Sequence, residues 1–76
     1  MRIYVPLGRR AGVRPADLVG AIANEAKIDA REIGAIDIAD SFSLVEVPER
    51  NADAIVTALK KTKLRGRPVN ARREQF

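Results

Sequence analysis

The 76-residue sequence contains no cysteine and no histidine. Disulfides, thiolate nucleophiles, zinc fingers and imidazole bases are excluded together, which leaves few routes to catalysis within these residues. No apolar run approaches the roughly 20 residues that span a bilayer, and the opening residues lack the pattern of a secretory signal. A soluble, cytoplasmic protein with no membrane partner is therefore expected. Internal repeats and low-complexity stretches are also missing, and a chain this short has room for only one core. What is present is ordinary for a folding chain, 46% hydrophobic and 32% charged residues, so disorder is not expected.

The 14 basic and 10 acidic residues, net +4, are distributed unevenly. Residues 1–14 hold Arg2, Arg9, Arg10 and Arg14 and no acid; residues 15–59 hold nine acids against Lys27, Arg31 and Arg50. The last stretch, 60–76, carries Lys60, Lys61, Lys63, Arg65, Arg67, Arg72 and Arg73 against Glu74 alone. Two basic ends thus flank an acidic middle. If the fold joins those ends, they form one positive patch able to displace counterions from a nucleic-acid backbone; a merely solvated charged surface is the alternative.

Periodicity gives the elements. Arg2 to Leu7 alternates, with Ile3 and Val5 on one side and Arg2 and Tyr4 on the other, the pattern of a half-buried strand. Gly8 to Gly12 reads as a flexible basic loop, and Pro15 suits the first position of a helix whose apolar stripe (Leu18, Ile22, Ala26) runs to about Ala26. Gly20 within it is read as the mark of a close approach to the sheet. Asp29 to Glu32 has capping-box spacing, a short turn ended by Gly34. Ala35 to Ile38 and Phe42 to Val47 alternate around Asp40-Ser41, an antiparallel hairpin. Pro48 stops that strand, and Ala52, Ile55, Val56 and Leu59 make a second helix ending near Lys61. Leu64 to Arg67 is a turn, residues 69–72 form a last strand, and 73–76 are expected to be a loose C-terminal end.

The order is βαββαβ, an α+β ferredoxin-like arrangement: a four-stranded antiparallel sheet with two helices on one face over residues 1–72. The other face is left with Arg2, Tyr4, Phe42, Leu44, Glu46, Asn70 and Arg72. Phe42 beside Leu44 is expected to make an exposed apolar patch, which marks a binding surface. First and last strands are neighbours in this topology, so the basic ends should meet at one edge, with Asp37, Asp40, Glu46 and Glu49 at the other.

An open sheet with aromatics on its central strands resembles an RNA recognition motif, in which bases stack on those rings. Tyr4, in Ile3-Tyr4-Val5-Pro6-Leu7-Gly8, matches the stacking position of the shorter ribonucleoprotein motif, and Phe42 the first one of the longer motif. Asp40, Ser41 and Leu44 depart from it, standing where Lys or Arg, Gly and a second aromatic belong. Each missing ring removes roughly 1–3 kcal/mol of stacking per base. Tyr4 could equally just cover a partly solvated sheet. Three longer blocks, Gly8 to Ala26, Ile33 to Pro48 and Leu64 to Asn70, resemble in order and spacing the DbpA-type RNA-binding domain that follows the core of certain bacterial DEAD-box RNA helicases. That resemblance implies an accessory module tethering an ATP-dependent helicase to structured RNA, commonly ribosomal RNA, in ribosome assembly or cold adaptation. Neither a GxxxxGK run followed by Ser or Thr nor an Asp-Glu-Ala-Asp run occurs, so this stretch is expected to be no enzyme and to take no cofactor. ATP and magnesium would belong to a helicase core in the same parent chain.

The expected RNA-binding residues are Arg2, Tyr4, Arg9, Arg10, Arg14, Phe42, Lys60, Lys61, Lys63, Arg65, Arg67, Asn70 and Arg72. The first loop and last turn would clamp phosphates while the rings stack bases. A catalytic or metal role for Asp29, Glu32 and Asp37 is set aside, because capping and solvated strand faces account for them. The rival reading is a protein-interaction or dimerisation module using Phe42 and Leu44, although the clustered cations favour a monomer that binds RNA.

Overall fold

Alternation along β1 (Arg2–Val5) puts Ile3 and Val5 in the core, fully buried, and leaves Arg2 and Tyr4 on the opposite face. The computed structural model describes residues 1–74. The next element, α1 (Pro15–Ala26), starts with Pro15 at its first turn, and the Arg14 backbone N–H donates to the Asp17 carboxylate at 2.9 Å, satisfying a donor the helix cannot pair internally. Asp29 accepts from the Arg31 backbone N–H and so caps the expected short turn, Ala30–Glu32. The hairpin strands β2 (Ile36–Ile38) and β3 (Ser43–Glu46) follow, and α2 (Glu49–Lys60) carries an acid in its first turn and Lys60 in its last, both favourable to the helix dipole. The chain ends with β4 (Lys63–Leu64), β5 (Arg67–Pro68) and β6 (Arg72–Arg73).

The main sheet has the order β2-β3-β1-β6 with every pair antiparallel, so the chain has the expected ferredoxin-like α+β fold. Leu18 and Ile22 from α1 and Ala52, Ile55 and Leu59 from α2 join Ile3, Val5, Val45 and Val47 in one buried cluster. Full burial of such side chains contributes roughly 1.5–3 kcal/mol each, which fixes both helices to one face and leaves the other open.

Three expectations need correction. The Gly8–Gly12 loop is pinned: the Arg9 N–H donates to the Ala39 carbonyl at 2.8 Å, the Arg10 N–H to the Asp40 carbonyl at 2.9 Å, and the buried Ser43 hydroxyl to the Leu7 carbonyl at 2.7 Å. Gly8 permits this, because a Cβ there would lie 2.2 Å from the Ala39 carbonyl oxygen. Gly20 marks no close approach, since a Cβ on it would meet nothing within 4 Å. The turn expected at Leu64 to Arg67 is present, as the tip of a second hairpin, β4 with β5, whose turn residues Arg65 (φ 51) and Gly66 (φ 77) are both left-handed, the signature of a tight primed turn. The last strand begins later than expected, at Arg72; Arg73 pairs with Ile3, and the Glu74 N–H donates to the Arg2 carbonyl at 2.9 Å, so neither residue is loose. The expectation for 75–76 lies outside the described residues.

Candidate nucleic-acid interface

The two basic segments meet. Arg9 from the pinned loop, Arg14 at the start of α1 and Arg65 from the β4–β5 turn line one groove together with Gly12 and Val13. Around the corner Arg10 and Arg67 line a second, with Pro6, Leu7 and Ser41. Two contacts hold this cluster in shape. Arg9 donates to the Ile38 carbonyl at 2.9 Å, and Arg65 makes an ion pair with Asp17 at 3.1 Å. The Asp17 carboxyl is held below the ordinary carboxylate range, chiefly by the Arg14 backbone N–H and further by the Arg65 guanidinium, with partial desolvation opposing. Among the described residues no carboxylate lies within ion-pairing distance of Arg10, Arg14 or Arg67, so these charges are available to an outside anion.

On the open face one row of registered residues crosses the whole sheet: Asp37 on β2, Leu44 on β3, Tyr4 on β1 and Arg72 on β6. Tyr4 and Phe42 stack on each other, with ring centroids 5.5 Å apart and planes 16° from parallel. The Arg72 guanidinium lies over the Tyr4 ring, 4.7 Å from its centroid. The two aromatics are therefore one stacked unit, not two separate platforms. This packing leaves Phe42 and Leu44 half-buried, and the only large hydrophobic residue exposed among the described residues is Met1. The apolar surface at Phe42 and Leu44 is therefore only partly exposed, less than expected.

The remaining candidates disperse. Lys60 lines a groove beside β6 with Tyr4, Val56 and Arg72. Lys61 lines a different groove among the helices, with Glu25, Asp53 and Thr57, so it stands apart from the basic cluster. Lys63 and Asn70 are exposed, and Arg2 is 2.8 Å from Glu74 in an ion pair. The acidic edge is only partly as expected. Asp37 is on the outer strand β2, but Asp40 sits 3.9 Å from Arg9 beside the basic loop, and Glu49 pairs with Arg73 at 3.6 Å on the β6 side. Chain proximity does not carry over once α2 crosses the sheet. The reading of the sequence also missed Asp17, although an acid three residues after Arg14 and just inside a helix start is a recognisable capping signal.

A βαββαβ sheet with one face uncovered, an aromatic stack on its central strand and arginines gathered at one end defines an RNA-recognition-motif-like module. Residues 2–73 match the DbpA RNA binding domain family, and the chain belongs to that family. It is similar to the ATP-dependent RNA helicase DeaD of Escherichia coli (strain K12), 35% identical over 71 residues that make up 92% of this chain and 11% of the relative. A similar match joins it to ATP-dependent RNA helicase DeaD of Mycobacterium tuberculosis (strain ATCC 25618 / H37Rv), 39% identical over 62 residues, 82% of this chain and 11% of the relative. The protein of the same name in Buchnera aphidicola subsp. Acyrthosiphon pisum (strain APS) is 35% identical over 66 residues, 87% of this chain and again 11% of its own length. The chain thus spans about a tenth of the curated relatives it matches, and is an RNA-binding domain related to one segment of them.

Proposed function

We propose that this domain is the RNA-holding accessory part of an ATP-dependent RNA helicase. It tethers a helicase core in the same parent chain to structured RNA, ribosomal RNA being the class intended, while that core, with ATP and magnesium, separates strands in the cytoplasm during ribosome assembly or cold adaptation. The observation that carries this reading is the meeting of Arg9, Arg10, Arg14, Arg65 and Arg67 at one end of a sheet whose open face bears the Phe42–Tyr4–Arg72 stack. Arginines there neutralise phosphates and position the RNA, and the flat stack faces unpaired bases. Lys60 and Lys63 extend the positive surface; Arg2, Lys61 and Asn70 are secondary contacts. The dimerisation alternative looked to an exposed Phe42–Leu44 patch, and both side chains are half-buried.

The test is an amide chemical-shift titration of the domain with a ribosomal RNA hairpin carrying a single-stranded flank, at low and at physiological salt. Shifts at the arginine cluster and at Tyr4, Phe42 and Arg72 that persist at physiological salt are expected. Replacing Arg10 and Arg67 with Gln should lower the slope of log affinity against log salt by about 0.7–0.9 per residue. Shifts confined to the cations that vanish with salt would reduce the domain to a nonspecific electrostatic anchor, and no shifts at all would overturn the reading.

A further inference from the structure

Building on the RNA-binding reading above, we propose that the base-docking surface of this domain is Arg72, and that Tyr4 is the buttress behind it. In strand order β1 lies between β3 and β6, and Tyr4 is contacted by Phe42, just before β3, and by Arg72, on β6. The phenyl ring lies nearly parallel to the tyrosine ring, and the guanidinium lies over the tyrosine ring 4.7 Å from its centroid. A base stacking on the part of the Tyr4 ring under Arg72 would have to displace the guanidinium.

The stack has two ends. On the β3 side, the row that joins Tyr4 to Leu44 continues outward to Asp37, a charge that repels a polyanion. At the other end Arg72 is exposed on the edge strand, with no neighbouring strand beyond it and no carboxylate in ion-pairing distance among the described residues. Its neighbour Arg73 is, by contrast, committed to Asp53 at 3.2 Å and to Glu49 at 3.6 Å. Arg72 lines a groove with Tyr4, Val56, the exposed Lys60, Arg73 and Glu74, whose carboxylate is engaged by Arg2. A guanidinium is flat and accepts a base on its face as an aromatic ring does, and its charge favours the electron-rich base. An unpaired nucleotide fits this arrangement with its base on Arg72 and its phosphate at Lys60. The Tyr4 ring behind the guanidinium holds it in place, so less freedom is lost on docking.

The experiment uses an RNA hairpin whose single-stranded flank carries one 2-aminopurine, with binding followed by anisotropy and stacking by quenching. Wild-type protein should quench the probe, and base protons should show NOEs to the Arg72 side chain and none to the Tyr4 ring. Arg72→Lys keeps the charge and removes the plane; it should abolish quenching and weaken binding at least about fivefold, with the salt slope unchanged. Lys60→Gln should leave quenching intact and lower the slope by about 0.7–0.9. Quenching that survives Arg72→Lys and Arg72→Ala, or NOEs to the Tyr4 ring in the wild type, would overturn the proposal and place the base on Tyr4. RNA bound without quenching also refutes it while leaving the RNA-binding reading intact, whereas no RNA bound at all refutes that reading itself.

Discussion

A single methyl group at Gly8 should cost the domain a large share of its stability. A Cβ built there falls 2.2 Å from the Ala39 carbonyl oxygen, 2.7 Å from the Phe42 nitrogen and 2.9 Å from the Asp40 carbonyl carbon. All three are main-chain atoms, so no rotamer change relieves the overlap, and the β1–α1 loop must separate from the β2–β3 turn. Overpacking of this kind costs about 1–3 kcal/mol. Separation also breaks the Arg9 and Arg10 N–H bonds across the gap, 2.8 and 2.9 Å long, each contributing about 1 kcal/mol. The total for Gly8→Ala is about 3–5 kcal/mol, set against about 4–11 kcal/mol of stability for a domain of this size. Thermal unfolding followed by circular dichroism should show a midpoint lowered by more than about 12 °C, and urea titration should give the same free energy. A loss below about 1 kcal/mol would refute the reasoning, since it would mean that the loop moves away at little cost and does not rigidly present Arg9 and Arg10.

Gly20→Ala should act in the opposite direction: with open space around the new Cβ, it should gain about 0.5–1 kcal/mol from helix propensity, and a loss in urea titration would show a packing role the structure does not contain. Asp17 should make stability pH-dependent. Because its folded-state pKa is lowered by the Arg14 N–H and by Arg65, its contribution is fully present above the unfolded value near 4 and is lost as pH falls through the folded value. A carboxyl-carbon titration should find Asp17 below the ordinary range, and Asp17→Asn should flatten the acid limb of the stability curve; an ordinary titration with an unchanged acid limb would count against the cap.

The fold was legible because each main element carries its own period and its own punctuation: alternation at Arg2 to Val5, a 3.6-residue stripe through Leu18 and Ile22, and prolines at 15 and 48. The β4–β5 hairpin was not legible, since strands of two residues are too short to show a period. Val69 and Ala71 alternate and are buried as a strand would be, yet the ladder forms at Arg72 and Arg73, where β1 has unpaired backbone to offer. Register of that kind belongs to the partner strand and cannot be read locally. At the site, the arginines and the two rings were found by charge and alternation, while the ring–ring–guanidinium stack was not. It joins residues 4, 42 and 72, whose contact exists only once the sheet has formed.

The outer strands have a consequence for the behaviour of the protein in bulk. β2 is three residues long and β6 two, and each presents a charged side chain on the open face, Asp37 and Arg72. A neighbouring molecule seeking to extend the sheet would find only a few unpaired backbone groups on either flank and would have to bury a charge to reach them. The fold thus resists edge-to-edge polymerisation into fibres.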